Sequence, residues 1–522
     1  MVEMHLLEVQ VVLVTLLNMV LIVNLHSINT SNESLNRMAS RPRGDITTLI
    51  DLATRDSQDE YFTPLNSETT WFARDQERRN RPFVPAVQSF AFRGPAAFGQ
   101  RFSFDVGSIA CGDLLFGVFL QVKLGHWFDP TTVLRILSGR YQYVDPSGAW
   151  FYANSIGTVL VEKAELEIED QIIETINGDF TFTAGRVMAD TNAQVGINVD
   201  GTGFSNLARL KSWNPNRVFP TEGGKLMIPL TFFFSRAKLK EAFPLIACRE
   251  GTVRIHITLR PFVDCVRVAN GLRSSCTSTP LGQTFSFIDN GFPFRPTIQI
   301  TAAADAPAFE DFKLVTYGAY ITGLIRERML YTPFEMLYRG VQTFTFSEPM
   351  KYLVNKSVGD TITVQLPLEA NHPMEEIIWF VRRKAAIIEN NEWTNYTSVI
   401  SAEYDPIFNP PKPFVVSAVI QVNGIELIRA EEEYFRQLLS RHHLGGITSY
   451  ASYIYGYPIA RKPSDHQPTG TLNASRAQSV RLTLTVSPPG GVYNQEWEVV
   501  VYVLGLRWLR FENGIGNQMF DS

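Results

Sequence analysis

The chain carries eight histidines and four cysteines, the side chains that most often bind metals or serve as nucleophiles and bases. His5, His26, His126, His256, His372, His442, His443 and His466 form neither an H-x-H nor an H-E-x-x-H pattern. No two of them are therefore spaced to share one face of a strand or helix and hold zinc. His442 and His443 are neighbours and read as a solvated pair. Cys111, Cys248, Cys265 and Cys276 show no C-x-x-C spacing. Scattered thiols of this kind read as small buried apolar groups in a reducing compartment, with a disulfide pair left open by the sequence. Adjacent carboxylates at Glu310–Asp311 and Glu375–Glu376 point to opposite faces of a strand, which separates them for acid–base work. Glu431 to Glu433 reads as an acid run at a helix start, where the dipole favours negative charge. Gly445-Gly446 and Gly490-Gly491 read as turns, because no phosphate-loop lysine follows. No residue is assigned a catalytic, cofactor or metal role. Of the sequons at Asn29, Asn32, Asn355, Asn395 and Asn473, Asn355 and Asn395 read as loop positions and Asn473 as a turn or strand-end residue.

Chemistry being thin, the elements carry the reading. The chain has 522 residues, 45% of them hydrophobic and only 19% charged, so it can bury a large core without staples. Phenylalanine is abundant at 36 residues, which leans toward β structure. A net charge of −5 argues against a surface devoted to neutralising phosphates, and no direct nucleic-acid contact is expected. From Phe90 onward, short apolar or alternating runs are separated by Gly, Pro and Asn. Examples are Phe102 to Val106, Leu114 to Leu124, Lys163 to Ile168, Val253 to Leu259, Thr361 to Leu366, Val480 to Val486 and Glu498 to Val503. Such spacing indicates sandwiches or barrels. The best helical pattern in this body is Ala430 to Leu439.

The amino-terminus differs. Leu6 to Leu25 is mostly apolar and, as a helix, would reach about 30 Å, the depth of a bilayer's hydrocarbon core. It reads as a membrane anchor or as an apolar arm packed under neighbouring subunits, in preference to a cleaved signal, since Glu3 stands where a basic residue is wanted. Translation starting at Met38 is a further reading. Residues 27–45 form a polar connector, and residues 45–81 a charged arm outside the main body.

The body also repeats itself. Glu165 to Ile173, followed by Gly178-Asp179-Phe180, parallels Val419 to Leu427, followed by Glu432-Glu433-Tyr434-Phe435. Setting Leu166 against Ile420 gives an offset of 254 residues (420 − 166). Apolar strands introduced by acid precede both copies, at Asp113 to Val122 and Glu375 to Val381. Ser235-Arg236 and Ser475-Arg476 follow them. A period this long means two copies of one domain. The charged stretch Leu324 to Tyr331 reads as the helix that joins them, so the chain divides into 1–44, an arm 45–85, a first domain 86–323, a linker 324–340 and a second domain 341–522.

These blocks, in this order, resemble the double jelly-roll major capsid proteins of nucleocytoplasmic large DNA viruses, of the iridovirus and algal-virus type. The likeness rests on Phe98-Gly99-Gln100 with Phe102 to Val106, Gly112 to Leu115 with Val118 to Val122, and Val161 to Ile173 with Gly178-Asp179-Phe180. It continues through Leu226 to Phe234 with Phe243 to Ala247, Arg326-Glu327-Arg328 with Phe334-Glu335, Gln467 to Arg476, and Asn513-Gly514. It runs from about Asp45 to Gly514 and leaves out Leu6 to Leu25. The resemblance implies an all-β fold of two tandem eight-stranded jelly rolls and a structural, non-enzymatic role in the virion. It implies homotrimeric capsomers of near-hexagonal outline tiling an icosahedral shell assembled in the host cytoplasm. The partners would be further copies of the chain, minor capsid and penton proteins, and an internal viral membrane touched through Leu6 to Leu25. Subunit contacts are expected at the arm and the linker, and surface towers at Val187 to Ser212 and Val266 to Thr297. The rival is a membrane-anchored receptor- or glycan-binding β-sandwich protein, suggested by Leu6 to Leu25 and by the aromatic run Tyr450 to Tyr457.

Overall fold

The computed structural model describes residues 83–124, 150–153, 155–187, 225–236, 242–268, 272–279, 282–288, 299–301, 308–309, 311–321, 323–347, 361–384, 386–387, 391–398, 412–438, 453–463, 468–487 and 496–519. The expected apolar segment, connector and arm, most of the tower at Val187 to Ser212, Asn355 and the His442-His443 pair lie outside these residues. Ala86–Ala319 and Arg326–Ser522 make one compact unit. No helix among the described residues is long and apolar enough to cross a membrane.

In the first half, β1 (Phe83–Ala91), β2 (Arg101–Asp105), β3 (Leu114–Lys123), β4 (Trp150–Tyr152), β5 (Val161–Ile168), β6 (Gln171–Asn177), β7 (Lys225–Leu230) and β8 (Val253–Leu259) follow one another. After them come β9 (Val266–Val268), β10 (Leu272–Thr279), β11 (Gly282–Ile288), β12 (Gln299–Thr301) and β13 (Asp311–Ile321). Two four-stranded sheets result, in the orders β1-β13-β3-β7 and β2-β8-β5-β6, together with the smaller sheets β4-β9 and β10-β11-β12. The second half runs β14 (Phe334–Phe346), β15 (Ile362–Leu368), β16 (Pro373–Arg383), β17 (Val415–Val422), β18 (Ile425–Glu431) and β19 (Ile454–Pro458). It ends with β20 (Leu472–Asn473), β21 (Val480–Val486), β22 (Trp497–Glu512) and β23 (Ile515–Met519). Its sheets are β14-β22-β16-β19, extended by β20 and β23, and β15-β21-β17-β18. Taken in chain order, the eight main strands of each half cross between two facing sheets in the same sequence, the one exception in each being a hairpin within a single sheet, β5–β6 and β17–β18. That winding is a jelly roll, and the chain contains it twice.

Period-two patterning explains the strands. In β8, Val253, Ile255, Ile257 and Leu259 point inward and are buried, while Arg254 and Thr258 take the other face. The corresponding β21 buries Val480, Leu482, Leu484 and Val486 in the same pattern. Phenylalanine fills the first core: Phe102 packs edge-on to Phe92 at 4.8 Å and against Phe312 at 4.4 Å. In the second core Trp379 lies between Phe435 and Tyr455, and Phe414 stacks on Trp497 at 3.8 Å.

The 254-residue repeat is a physical equivalence. The β5–β6 hairpin turns through Glu169 and Asp170, both with positive φ, and the β17–β18 hairpin turns through Asn423 and Gly424, likewise positive. Each hairpin carries a register shift at the same place, Leu166/Glu167 in one and Ile420/Gln421 in the other. Ser235-Arg236 and Ser475-Arg476 both sit in one-turn helices that precede the strands β8 and β21.

Three expectations need correction. Ala430 and Glu431 end strand β18, and the helical turn begins at Glu432 and closes as a π-turn over Tyr434–Leu438, two residues later than the expected start. The alternation of Glu426, Ile428 and Ala430 against their neighbours had extended the strand past the point where helical spacing was read. Strand β14 begins at Phe334 inside the stretch read as linker, and the joining helix covers only Leu324–Tyr331. Val266 to Thr297 is not simply an open loop: β10 and β11 form a hairpin with Thr279 opposite Gly282, and β12 adds a third strand. Its Thr, Ser and Phe content suits a pleated sheet.

Truncating the second core at Leu482→Ala is expected to cost about 2–5 kcal/mol, while Gly424→Ala, with φ of +79° and open space around it, costs about 1 kcal/mol. Denaturant melts of the two variants check the order, and a larger loss at Gly424 would refute the assignment of the core.

Candidate functional site: the seam between the rolls

Strand β16 is buried along nearly its whole length, and so is most of β22. A strand buried on both faces has no polar side, which is why Ile377 to Val381 and Val499 to Leu504 read as continuous apolar runs. One face of this sheet holds the second core. The other meets the first roll.

The first roll presents a ten-residue helix, α1 (Gly178–Val187), directly after β6. Asn177 caps it, its Oδ1 accepting from the Phe180 N–H at 2.7 Å. Glycine is required at 178, because a Cβ there would lie 1.9 Å from the Thr158 carbonyl oxygen. Asp179, in the first turn, reaches across to the second roll, where Arg382 stands opposite Glu498 on the neighbouring strand.

Arg382 is 4% exposed, and all five of its N–H groups are taken. Nε and Nη2 donate to Glu498 at 2.8 and 2.6 Å. Nη1 and Nη2 grip Asp179 as a fork at 3.0 and 3.1 Å, and Nη1 also donates to the Trp393 carbonyl at 2.9 Å. Burial by itself would lower the guanidinium pKa, but Asp179 and Glu498 outweigh it and hold the group above its ordinary value. Two carboxylates to one cation leave a negative excess, and Arg260 of the first roll lies 3.8 Å over the Trp393 ring beside them. Trp393 in turn donates its indole N–H to the Asp264 carbonyl of the first roll at 2.9 Å.

Aromatic contacts surround this charge. Phe180 meets Tyr502 at 5.1 Å, Phe182 meets Tyr396 at 6.0 Å, Phe233 meets Tyr338 at 4.6 Å, and Phe243 meets Phe511 at 6.0 Å. Tyr502 donates its hydroxyl to Asn177 Oδ1 at 3.1 Å, so the residue that caps α1 also ties it to the second roll. Burial first, then the nearby Asp179 carboxylate, raises the Tyr502 pKa well above its ordinary value. The seam is buried like a domain core, and it fixes the angle between the rolls.

A second constellation crosses the sheet β2-β8-β5. Ser103 Oγ lies 2.7 Å from His256 Nδ1, and His256 Nε2 lies 2.9 Å from Glu167 Oε2. The connectivity is that of a nucleophile–base–acid relay, but the setting is not. Glu167 is shared with Arg254, which also bonds Asp105 and Asp170. The N–H groups of a flat sheet point sideways into neighbouring strands, so none converge on Ser103 to stabilise an oxyanion. The row is a cross-strand ladder. Its members are far apart in sequence, and only strand register, which spacing does not encode, brings them together. The same holds for Asp179, Arg382 and Glu498, none of which the sequence singled out as a site. Of the other histidines, His372 is described, at a positive φ before β16. The thiols of Cys111, Cys248 and Cys265 are buried and unbridged, and burial pushes that of Cys248 up to about 12. At the sequon Asn395, the side-chain amide donates to Glu392 and accepts from Thr397. Among the described residues no cluster of three His, Cys, Asp or Glu is placed to hold a metal.

Two family models match the sequence: "Major capsid protein N-terminus" over residues 70–299, and "Large eukaryotic DNA virus major capsid protein" over residues 326–517. The chain belongs to the major capsid proteins of large eukaryotic DNA viruses. It is 22% identical over 500 residues to the major capsid protein of Wiseana iridescent virus, spanning 91% of this chain and 93% of that relative. Among solved structures, a chain of the PBCV-1 virus capsid matches with a TM-score of 0.59 and 19% identity, over 85% of this chain and 98% of its own. The Faustovirus major capsid protein matches with a TM-score of 0.58 and 11% identity, over 92% and 98%. This capsid protein is thus a structural component of the virion shell rather than an enzyme, and its seam is a construction joint.

Arg382→Met leaves Asp179 and Glu498 buried without their cation and is expected to destabilise the protein by about 3–5 kcal/mol. Arg382→Lys, with the charge but not the fork, should fall between. Thermal melts of the two variants check this ranking. Tyr502 has a raised folded pKa, so its contribution is fully present below 10.0 and is lost as pH climbs through the folded value. Tyr502→Phe should therefore melt lower at pH 7 by the loss of one hydrogen bond, about 1 kcal/mol, and show a shallower decline above pH 10. An unchanged alkaline slope would refute that assignment.

Proposed function

We propose that three copies of this capsid protein associate into a capsomer of near-hexagonal outline, and that these capsomers tile the facets of an icosahedral shell. The observation that carries this reading is the repetition of one jelly roll twice in a single chain, with both copies locked into one compact unit. Three such chains offer six like wedges, and a six-fold outline packs a plane without gaps. The division into a first roll (86–323), a joining helix (Leu324–Tyr331) and a second roll that opens with the strand at Phe334 is part of the same reading. It is supported by the two family models, the first ending at residue 299 and the second beginning at residue 326, within the joining helix. Assembly in the host cytoplasm, minor capsid and penton proteins at the capsomer rim, and contact of Leu6 to Leu25 with an internal membrane complete it.

Sedimentation of the purified full chain is expected to give a single species of three subunits, and negative-stain images a hexagonal profile. A monomer, or a dimer with a two-fold outline, would overturn the proposal.

A further inference from the structure

Strand β22 is longer than the winding of the second roll requires. It runs for sixteen residues, yet its pairing with β16 ends at Gly505. Beyond that point its neighbours are β14 and β23. The strand in the same place in the first roll, β13, has eleven residues and is followed by the joining helix. The extra length of β22 therefore serves something other than the jelly roll itself.

Alternation divides the extension into two faces. Trp508, Arg510 and Glu512 are exposed, and Leu509 and Phe511 are buried. The buried face lies on the first roll. Phe511 meets Phe243 at 6.0 Å, and Phe243 in turn packs on Phe233 and Phe234. The chain then turns through Asn513 and Gly514, both at positive φ, and the Gly514 carbonyl accepts from the Glu250 N–H at 3.2 Å. Strand β23 comes back over the short helical turn Leu245–Cys248. A Cβ at Gly516 would lie 2.9 Å from the Phe511 ring and 3.1 Å from Cys248 Sγ, so glycine lets the strand lie directly on the thiol.

These contacts join residues far apart in the chain. Gly516 follows Cys248 by 268 residues (516 − 248). At ribosomal rates the surface around Cys248 waits roughly 15–50 s for its cover. Cys248 is nevertheless buried in the finished protein. Strand β23 is paired along one side, with β22. A terminal strand held in that way opens at lower cost than a strand of the core.

We propose that residues 513–519 form a strap that seats last on the first roll, over Cys248 and Glu250, and that opens as a unit while both rolls stay folded. The inference goes beyond the trimer reading and stands without it. A chain that stops short of the strap cannot hide the surface beneath it.

Maleimide labelling of the full chain, with each cysteine located by mass spectrometry, tests this. Cys248 lies under the strap, whereas Cys265 is buried elsewhere in the same roll. In urea below the unfolding midpoint, Cys248 should react at least about tenfold faster than Cys265. Gly516→Asp puts a carboxylate between the strap and the thiol. In this full-length variant, without urea, Cys248 should react at least about tenfold faster than in the parent, with Cys265 as protected as before. Parent thiols that become reactive together at one urea concentration overturn the strap. So does a Gly516→Asp chain in which Cys248 stays as slow as in the parent, or in which Cys265 is released along with it.

Discussion

A guanidinium removed from water must find a protein acceptor for every N–H it owns, or the fold loses several kcal/mol. Arg382 meets that requirement with groups from both rolls: Glu498 on the strand beside it, the Trp393 carbonyl from the connection that follows β16, and Asp179 from the other roll's helix. The fork to Asp179 is directional, so it fixes distance and orientation together. Asn177 reinforces it by capping α1 and accepting from Tyr502 at once. The aromatic contacts around the site add area without direction. The charged centre therefore sets the angle between the rolls, and the rings keep water from competing for it.

Much of the architecture could be read from the sequence, and the reasons are local. The strands of β8 and β21 announce themselves by alternation, and the two hairpins by Asp- and Asn-containing turns at a fixed offset. The family likeness added the winding, which no single strand encodes. The Ala430 to Leu439 helix was read as starting two residues early because a charged edge strand and a helix start share composition: Glu, Arg and Ala suit both, and only the pairing of β18 with β17 decides between them. Nothing local marked the seam. Arg382 and Arg383 end an apolar run, where charged residues ordinarily mark a strand end at the surface. Arg382 is buried because the other roll covers it, with Asp179 203 residues away.

The two rolls are alike in winding and unlike in use. Position for position, the turn after β6 supplies Asp179 and Phe180 to a buried joint, while the turn after β18 supplies Glu433 and Tyr434 to a more open surface. The outer sheet ladder diverges too: Ser103, His256 and Glu167 occupy a row on β2, β8 and β5, where the second roll has Gln365, Thr483 and Gln421 on β15, β21 and β17. Divergence is concentrated on the outward faces, while the inward residues of β8 and β21 keep the same burial pattern. Core positions are constrained by packing density, and outer positions by whatever they face.

Tandem duplication changes what a head-to-tail contact can do. A single roll with one surface of each kind would need every junction to form between separate chains, each paying the entropy of association. With two rolls fused, one junction is intramolecular and is made as the chain folds. It can be as closely packed as a core, because it never has to form in dilute solution. The fully buried Arg382, held by Asp179 of one roll and Glu498 of the other, is such a joint.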